Sequence, residues 1–314
     1  MDERVGQPGN LRPCILVVSY IGVALLLAGA VGLIALTAIL WALLSRLPMC
    51  FMMSSCVFSF QGYRRYRLAI VITAAVLAWT GIHAQAAAPG AAKPSITQIS
   101  PPEKEFFTKK VVYKGLPIKA PAVVVDDALY AAYDRLDMML HNLPAIASNL
   151  VTAGVELHII GRNQVTTDLP EWRHDKGKKL AEYHGLTRDE RTRGMGGQLV
   201  SCGEENLLRL ETDHYRGRDI CQHEFAHAVR DYGMSQETRA QFDAQYRRSL
   251  AAGLWQGAYA GSNPDEFFAE LTMWYFGTHG DEAMKGLKPG NGPAGLKKYD
   301  PEAFKLMDNF YSGK

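Results

Sequence analysis

The chain of 314 residues lacks an excess of charge of either sign: 34 basic and 32 acidic residues leave a formal net of +2. That balance argues against a nucleic-acid binder, which gathers Lys and Arg into a strongly basic surface. With 47% hydrophobic and 21% charged residues, the composition also excludes a disordered chain and a polytopic membrane protein. Internal repeats are absent. Acids are nearly missing from the first 86 positions, where Asp2 and Glu3 stand against six Arg. Subtracting these from the totals leaves 28 basic and 30 acidic residues in the other 228 positions, enough chain for one domain with a sizeable core. Cysteine is scarce there as well: Cys14, Cys50 and Cys56 lie in the first part, and only Cys202 and Cys221 follow.

What the first part does have is apolar length. Residues 13–45 carry no charge, a run long enough to cross a bilayer. A second apolar run, 68–82, follows Arg64, Arg65 and Arg67 and ends in Ala84-Gln85-Ala86. A basic flank, a short apolar core and a small-x-small ending are the parts of a secretory signal peptide, here about residues 53–86, cut after Ala86. Two readings compete. One is a membrane hairpin whose loop, with Arg46, Arg64, Arg65 and Arg67, stays cytoplasmic. The other starts translation at Met49, Met52 or Met53, and it is favoured because 53–86 is a complete signal peptide by itself. Both place residues 87–314 across the membrane. The expected location is therefore secreted, periplasmic or otherwise extracytoplasmic, with membrane contact only through the N-terminal hydrophobic segment. In such a compartment Cys202 and Cys221 are expected to pair as a disulfide rather than remain buried thiols.

Residues 87–98 are small and Pro-containing, which predicts a linker, and 99–314 the domain. Residues 121–125 (PAVVV) read as a short strand. Asp126 or Asp127 then caps a helix over about 128–140, with Leu129, Tyr133, Leu136 and Leu140 at helical spacing. Residues 154–161 alternate with period two between glycines and predict a strand, either a sheet edge able to receive an extended peptide or an interior strand. Residues 163–197 read as loop, and 199–210 contain another strand. Three helices follow: from Asp219, with Gln222 as capping-box partner, to Gly233; from Ser235 to about Leu250; and from Asn263-Pro264 to Gly277. Residues 285–299 read as a loop, and a last helix, about 301–311, is capped by Asp300. Strands first and helices later predict an α+β domain.

The first of those three helices carries His223-Glu224-Phe225-Ala226-His227. Two His one turn apart on one face can hold a single metal ion, and the intervening Glu reaches a water there without ligating, which suits a general base. A catalytic zinc needs a third protein ligand and an open position. A third His at short spacing is absent, since none follows until His279. The third ligand is therefore expected to be a carboxylate on another helix, where Glu266 and Glu270 stand one turn apart. Glu266 is the expected ligand, with Glu270 orienting a ligand His. The alternative has Glu266 closing a capping box with Asn263, leaving Glu270 to ligate. Tyr259, one of fourteen Tyr, suits an oxyanion donor or an ordinary packing role.

Residues 223–229 (HEFAHAV), with Tyr259, Glu266 and Glu270 inside YAGSNPDEFFAE, resemble the catalytic domain of anthrax lethal factor. They are also similar to the secreted Pro-Pro endopeptidases of the same HExxH zincin group. The resemblance is most specific over 193–277 and looser over 100–314. It implies a zincin-like metallopeptidase fold with a mixed sheet, an edge strand and an HExxH active-site helix. It also implies one Zn2+ per chain on His223, His227 and Glu266, with Glu224 as base, Tyr259 as oxyanion donor and Glu270 behind the ligands. The substrate it implies is a peptide or protein, and one branch suggests Pro-containing bonds. The binding domains of lethal factor have no counterpart, so its partners are not carried over.

Two other functions remain open from sequence. One is a zinc-dependent hydrolase of a non-protein, cell-wall bond. The other is a non-catalytic zinc-stabilised binding module, against which the presence of both Glu224 and Tyr259 argues. Cys221 is a poor ligand, since two residues before His223 on a helix points away from the His face. His158, His174, His184, His214 and His279 lack ligand spacing and are expected at the surface or in loops. Arg191 and Arg193, beside the glycine-rich 194–197, are either substrate-carboxylate ligands or solvated loop charge.

Overall fold

In the computed structural model, five strands form one mixed sheet in the order β1-β2-β3-β4-β5. The strands are β1 (Thr97–Glu103), β2 (Phe107–Tyr113), β3 (Leu116–Ala120), β4 (Glu156–Ile160) and β5 (Leu199–Gly203). The chain divides into two units, Met1–Ala86 and Ala87–Lys314, and the structure describes residues 94–280, 284 and 286–314. The expected signal peptide, the long apolar run and most of the linker lie outside the described residues. Thr97 and Gln98, expected in the linker, already belong to β1. Among the described residues no helix is long and apolar enough to cross a membrane.

β1, β2 and β3 pair antiparallel, whereas β3, β4 and β5 run parallel. Parallel neighbours need crossover connections, and helices α1 (Asp126–Leu140) and α2 (Pro144–Thr152) supply the one between β3 and β4. The strand expected at 121–125 is a turn, closed by Val124 N–H donating to the Pro121 carbonyl at 3.2 Å. Pro121 has no N–H for a ladder, and Val123 and Val125 are exposed. The strand lies just before it, as β3. Neither Asp126 nor Asp127 caps α1; Val125 takes the cap position without a side-chain bond, and both acids sit in the first turn. Lys109 donates to Asp126 at 2.7 Å, which ties the helix start to β2.

β4 is an interior strand, so it offers no free edge; Leu157 and Ile159 face the core beside Ile118 of β3 and Val200 of β5. The edge on that side is β5, and the turn around Met195 returns antiparallel to it at Ser201. The helices pack on the same face. α3 (Ile220–Ala228) lies against β5 and against α5 (Pro264–Phe276), and α4 (Gln236–Ala251) and α7 (Pro301–Tyr311) flank α5. Every residue from Phe267 to Trp274 of α5 is buried, which makes it the central helix. Residues 285–299 are not all loop: α6 (Pro293–Tyr299) buries Leu296. Asp300 caps α7 through Ala303 N–H and also accepts from Trp255 Nε1 at 2.9 Å.

The disulfide Cys202–Cys221 joins edge strand β5 to α3 across a sequence separation of 19. Closing a loop of that length is worth about 3 kcal/mol. Reduction is expected to lower unfolding free energy by about that amount in the native chain and to leave a Cys202→Ala/Cys221→Ala variant unmoved. Denaturant titrations with and without reductant check this; an equal response of both proteins would refute it.

The other face of the sheet holds charge. Lys119 donates to Glu103 and Glu156, each at 2.7 Å, and His158 sits between Glu156 at 2.9 Å and Glu171 at 2.6 Å. His158 was expected at the surface but is buried, its ring against Phe107 at 4.4 Å. The alternation that places Leu157 and Ile159 in the core turns His158 to this face, where the loop carrying Glu171 covers it. Burial pushes the Glu156 carboxyl up, but hydrogen bonds from His158 and Lys119 outweigh it and hold it at about 2, below its usual 4.5. A depressed carboxylate stabilises above its unfolded pKa and loses that contribution as pH falls through its folded one. Stability is thus expected to drop by on the order of 2 kcal/mol between about pH 4.5 and 2 because of this group. Denaturation against pH for the native protein and Glu156→Gln checks it: a limb equally steep in both would exclude Glu156 as its source.

Candidate metal centre

Asp219 starts α3: its carboxylate accepts from Gln222 N–H at 3.0 Å, while Asn206 Oδ1 accepts from Ile220 N–H at 2.9 Å. The expected reciprocal half of a capping box is missing, because the Gln222 side chain meets Thr278 and the Asp219 N–H donates to the Thr278 carbonyl at 3.0 Å. α3 thereby gains a rigid link to the segment after α5. A π turn, Val229–Gly233, ends α3, and Asn149 of α2 donates to the Gly233 carbonyl at 2.8 Å.

One turn apart on α3, His223 and His227 bring their Nε2 atoms to 3.2 Å. Asn263 caps α5 through Asp265 and Glu266 N–H, each at 2.9 Å, and Pro264 takes the first helical position. The Glu266 side chain does not turn back into a capping box. Its Oε2 lies 3.1 Å from His223 Nε2 and 3.5 Å from His227 Nε2. These three atoms form a group able to hold a metal ion. A tetrahedral zinc with bonds of about 2.0–2.1 Å separates its ligand atoms by roughly 3.3 Å, which matches all three spacings. Glu266 Oε2 is also buried with the two imidazoles beside it, a costly place for a carboxylate unless a cation, imidazolium or metal, shares it. The residues fit zinc in donor type, number and spacing.

Glu270, one turn beyond Glu266, is fully buried behind the imidazoles. Its Oε1 lies 3.0 Å from His223 Nδ1 and accepts from Arg218 at 2.6 Å; its Oε2 lies 2.7 Å from His279 Nε2. His279, expected in a surface loop, is buried and stacked on Trp274 at 3.8 Å. Gly277, in the left-handed region at φ 73°, turns the chain back after α5 and so delivers His279 to Glu270. Arg218 and His279 carry no periodic relation to the His pair, so spacing could not reveal them.

Glu224 is neighbour to both imidazoles. Burial pushes its carboxyl up, against the pull of His223 and His227, and a hydrogen bond from the Gly196 backbone holds it. Burial pulls His223 down, yet Glu266 and Glu270 more than offset it and raise it to about 10 in the metal-free protein. The same contacts hold Glu266 well below the usual carboxylate range despite its burial. Tyr259 opens the short turn Tyr259–Gly261, stacks over His223 at 6.2 Å and donates to Glu266 Oε1 at 3.0 Å. Burial and the charge of Glu266 push its phenol up, so it stays a donor.

The glycine-rich turn fits closely over α3. A Cβ on Gly194 would lie 2.7 Å from Ile220 Cγ2, and one on Gly196 3.0 Å from His227 Cβ. With Arg191, Met195, Tyr215 and Tyr259 it walls a cleft of about 350 Å³ open to the Glu224 carboxylate. Arg193 is not a cleft ligand: it pairs with Glu205 at 2.7 Å.

No family model and no curated protein matches the chain. Among solved structures it is similar to a Pro-Pro endopeptidase from Paenibacillus alvei, at 16% identity and a TM-score of 0.31, over 60% of this chain and 91% of that one. At that level the likeness fixes neither fold nor activity.

Proposed function

We propose that the protein is a zincin-like zinc metallopeptidase, exported and acting on peptide bonds outside the cytoplasm. The observation that carries the proposal is the convergence of His223 Nε2, His227 Nε2 and the buried Glu266 Oε2 at 3.1–3.5 Å. A metal-holding group alone does not need a base. Here Glu224, raised by burial, stands at the cleft wall beside the ligands. The apolar leader and the Cys202–Cys221 disulfide support export.

His223, His227 and Glu266 would hold the ion, with Glu270 fixing the ring of His223 through Nδ1. A bound zinc supplies Lewis acidity towards a peptide carbonyl and towards water. Glu224 takes the proton of the attacking water as its oxygen bonds to the carbonyl carbon. It returns that proton to the leaving nitrogen as the C–N bond breaks. Tyr259 donates a hydrogen bond to the oxygen that gains negative charge. The Gly194–Gly196 backbone packs over α3 beside Glu224 and His227.

A mass-spectrometric digest of a mixed peptide pool by the zinc-loaded protein, run beside Glu224→Ala and beside chelator-stripped protein, tests this. Cuts are expected only from the loaded native chain. Protein that holds one zinc per chain and cuts no peptide would defeat the peptidase reading, and digestion of purified wall material would then identify a non-protein bond.

A further inference from the structure

The turn before the glycine-rich segment is built on side chains that are almost all spent inward. Thr187 caps the single turn Arg188–Arg191 and exchanges hydrogen bonds with Glu190. Arg188 is buried, paired with Asp175 at 2.6 Å and stacked on Trp172 at 4.0 Å. Asp189 accepts from both the backbone and the hydroxyl of Thr167, at 2.8 and 2.6 Å. Beyond the turn, Thr192 bonds the Gly194 backbone and Arg193 pairs with Glu205. Between these anchors stands Arg191, exposed, at the cleft wall, with no side-chain partner among the described residues.

The charges of the cleft single out the same residue. Of its other ionic side chains, Arg218 is matched by Glu270, and a dication held by the His pair would offset Glu266 and Glu224. Arg191 is the cation left over, on a turn anchored by the side chains around it, and its charge reaches Tyr259. An exposed guanidinium at the wall of an open cleft is a fork for a carboxylate.

We infer that Arg191 selects peptides carrying a carboxylate next to the bond that is cut, an inference that rests on the peptidase reading above. The carboxylate comes either from an Asp or Glu side chain or from the peptide's own C-terminus. Peptides with an internal Asp and an amidated end, their Asn counterparts, and neutral peptides with free or amidated ends distinguish these sources. The native enzyme is expected to favour one carboxylate class by about 10- to 100-fold in kcat/KM, through KM, the range of a hydrogen bond to a charged group. Arg191→Gln should abolish the preference, Arg191→Lys should retain part of it, and Arg191→Glu should turn it towards Lys-containing peptides. A native enzyme indifferent to both carboxylates, or a preference surviving Arg191→Gln, overturns the inference. If no peptide is cut, the peptidase reading fails separately, and retention on immobilised Glu224→Gln protein then decides. Greater capture of an Asp-fixed than an Asn-fixed peptide pool, lost with Arg191→Gln, upholds the carboxylate site; equal capture overturns it.

Discussion

Glu224→Gln is expected to lower peptide turnover by about 10³-fold, within the range that a positioned general base contributes, while zinc content and melting temperature stay at native values. The amide has the size of the carboxylate and still accepts the Gly196 hydrogen bond, but it cannot take a proton. Stability should not suffer, because burial already opposes the charge on Glu224. The contrast is His227→Ala, which removes one of the three converging donors and should lose the metal along with the activity. Turnover on a peptide found in the pool digest, zinc per chain by metal analysis and a calorimetric melt together check this. A Glu224→Gln enzyme within tenfold of native turnover, at full zinc occupancy, would move the base elsewhere.

The parts of this architecture that are legible in the sequence share a physical trait: they are local. The helix holding His223 and His227, its start at Asp219, the Asn263-Pro264 start and Gly277 end of α5, and the Asp300 cap all follow from side chains within a turn of one another. The strand around Val155 was equally plain, since glycines bound it and its side chains alternate. What stayed hidden depends on distant chain. β1 and β2 have patterns broken by Pro101, Pro102 and the polar Lys109 and Lys110, and the sheet partner is what defines them. The run 121–125 looked like a strand because Val favours one, yet Pro121 and the need to launch α1 made it a turn. At the site, His223, Glu224, His227, Glu266, Tyr259 and Glu270 were picked out by spacing and resemblance. Arg218, His279 and the Gly196 N–H reach the centre only through folding. His158 shows the same limit from the other side: its burial is decided by Glu171, thirteen positions away and in a loop.

The second large effect is expected at Glu270, which lies behind the imidazoles at the cleft lining, outside the group of three converging donor atoms. Its burial would push the carboxyl up, but His223, His279 and Arg218 outweigh that and hold it at about 2, below its usual 4.5. It thus ties three groups together: the ring of His223 from behind, Arg218 just before α3, and His279 just after α5. Glu270→Ala should cost about 3 kcal/mol of folding stability, because Arg218 and His279 lose their carboxylate in a buried setting. It should also weaken zinc binding by about 10- to 100-fold, the usual consequence of freeing a ligand His from its outer partner. Glu270→Gln keeps the volume and should recover part of the stability while recovering little of the affinity, since the charge that favours the Nδ1–H tautomer of His223 is gone. Competition with a chelator measures the affinity, and denaturant unfolding of the metal-free proteins measures the stability. The two readouts separate the roles: a stability loss with native zinc affinity would make Glu270 a packing residue only, and native values of both would remove it from the site.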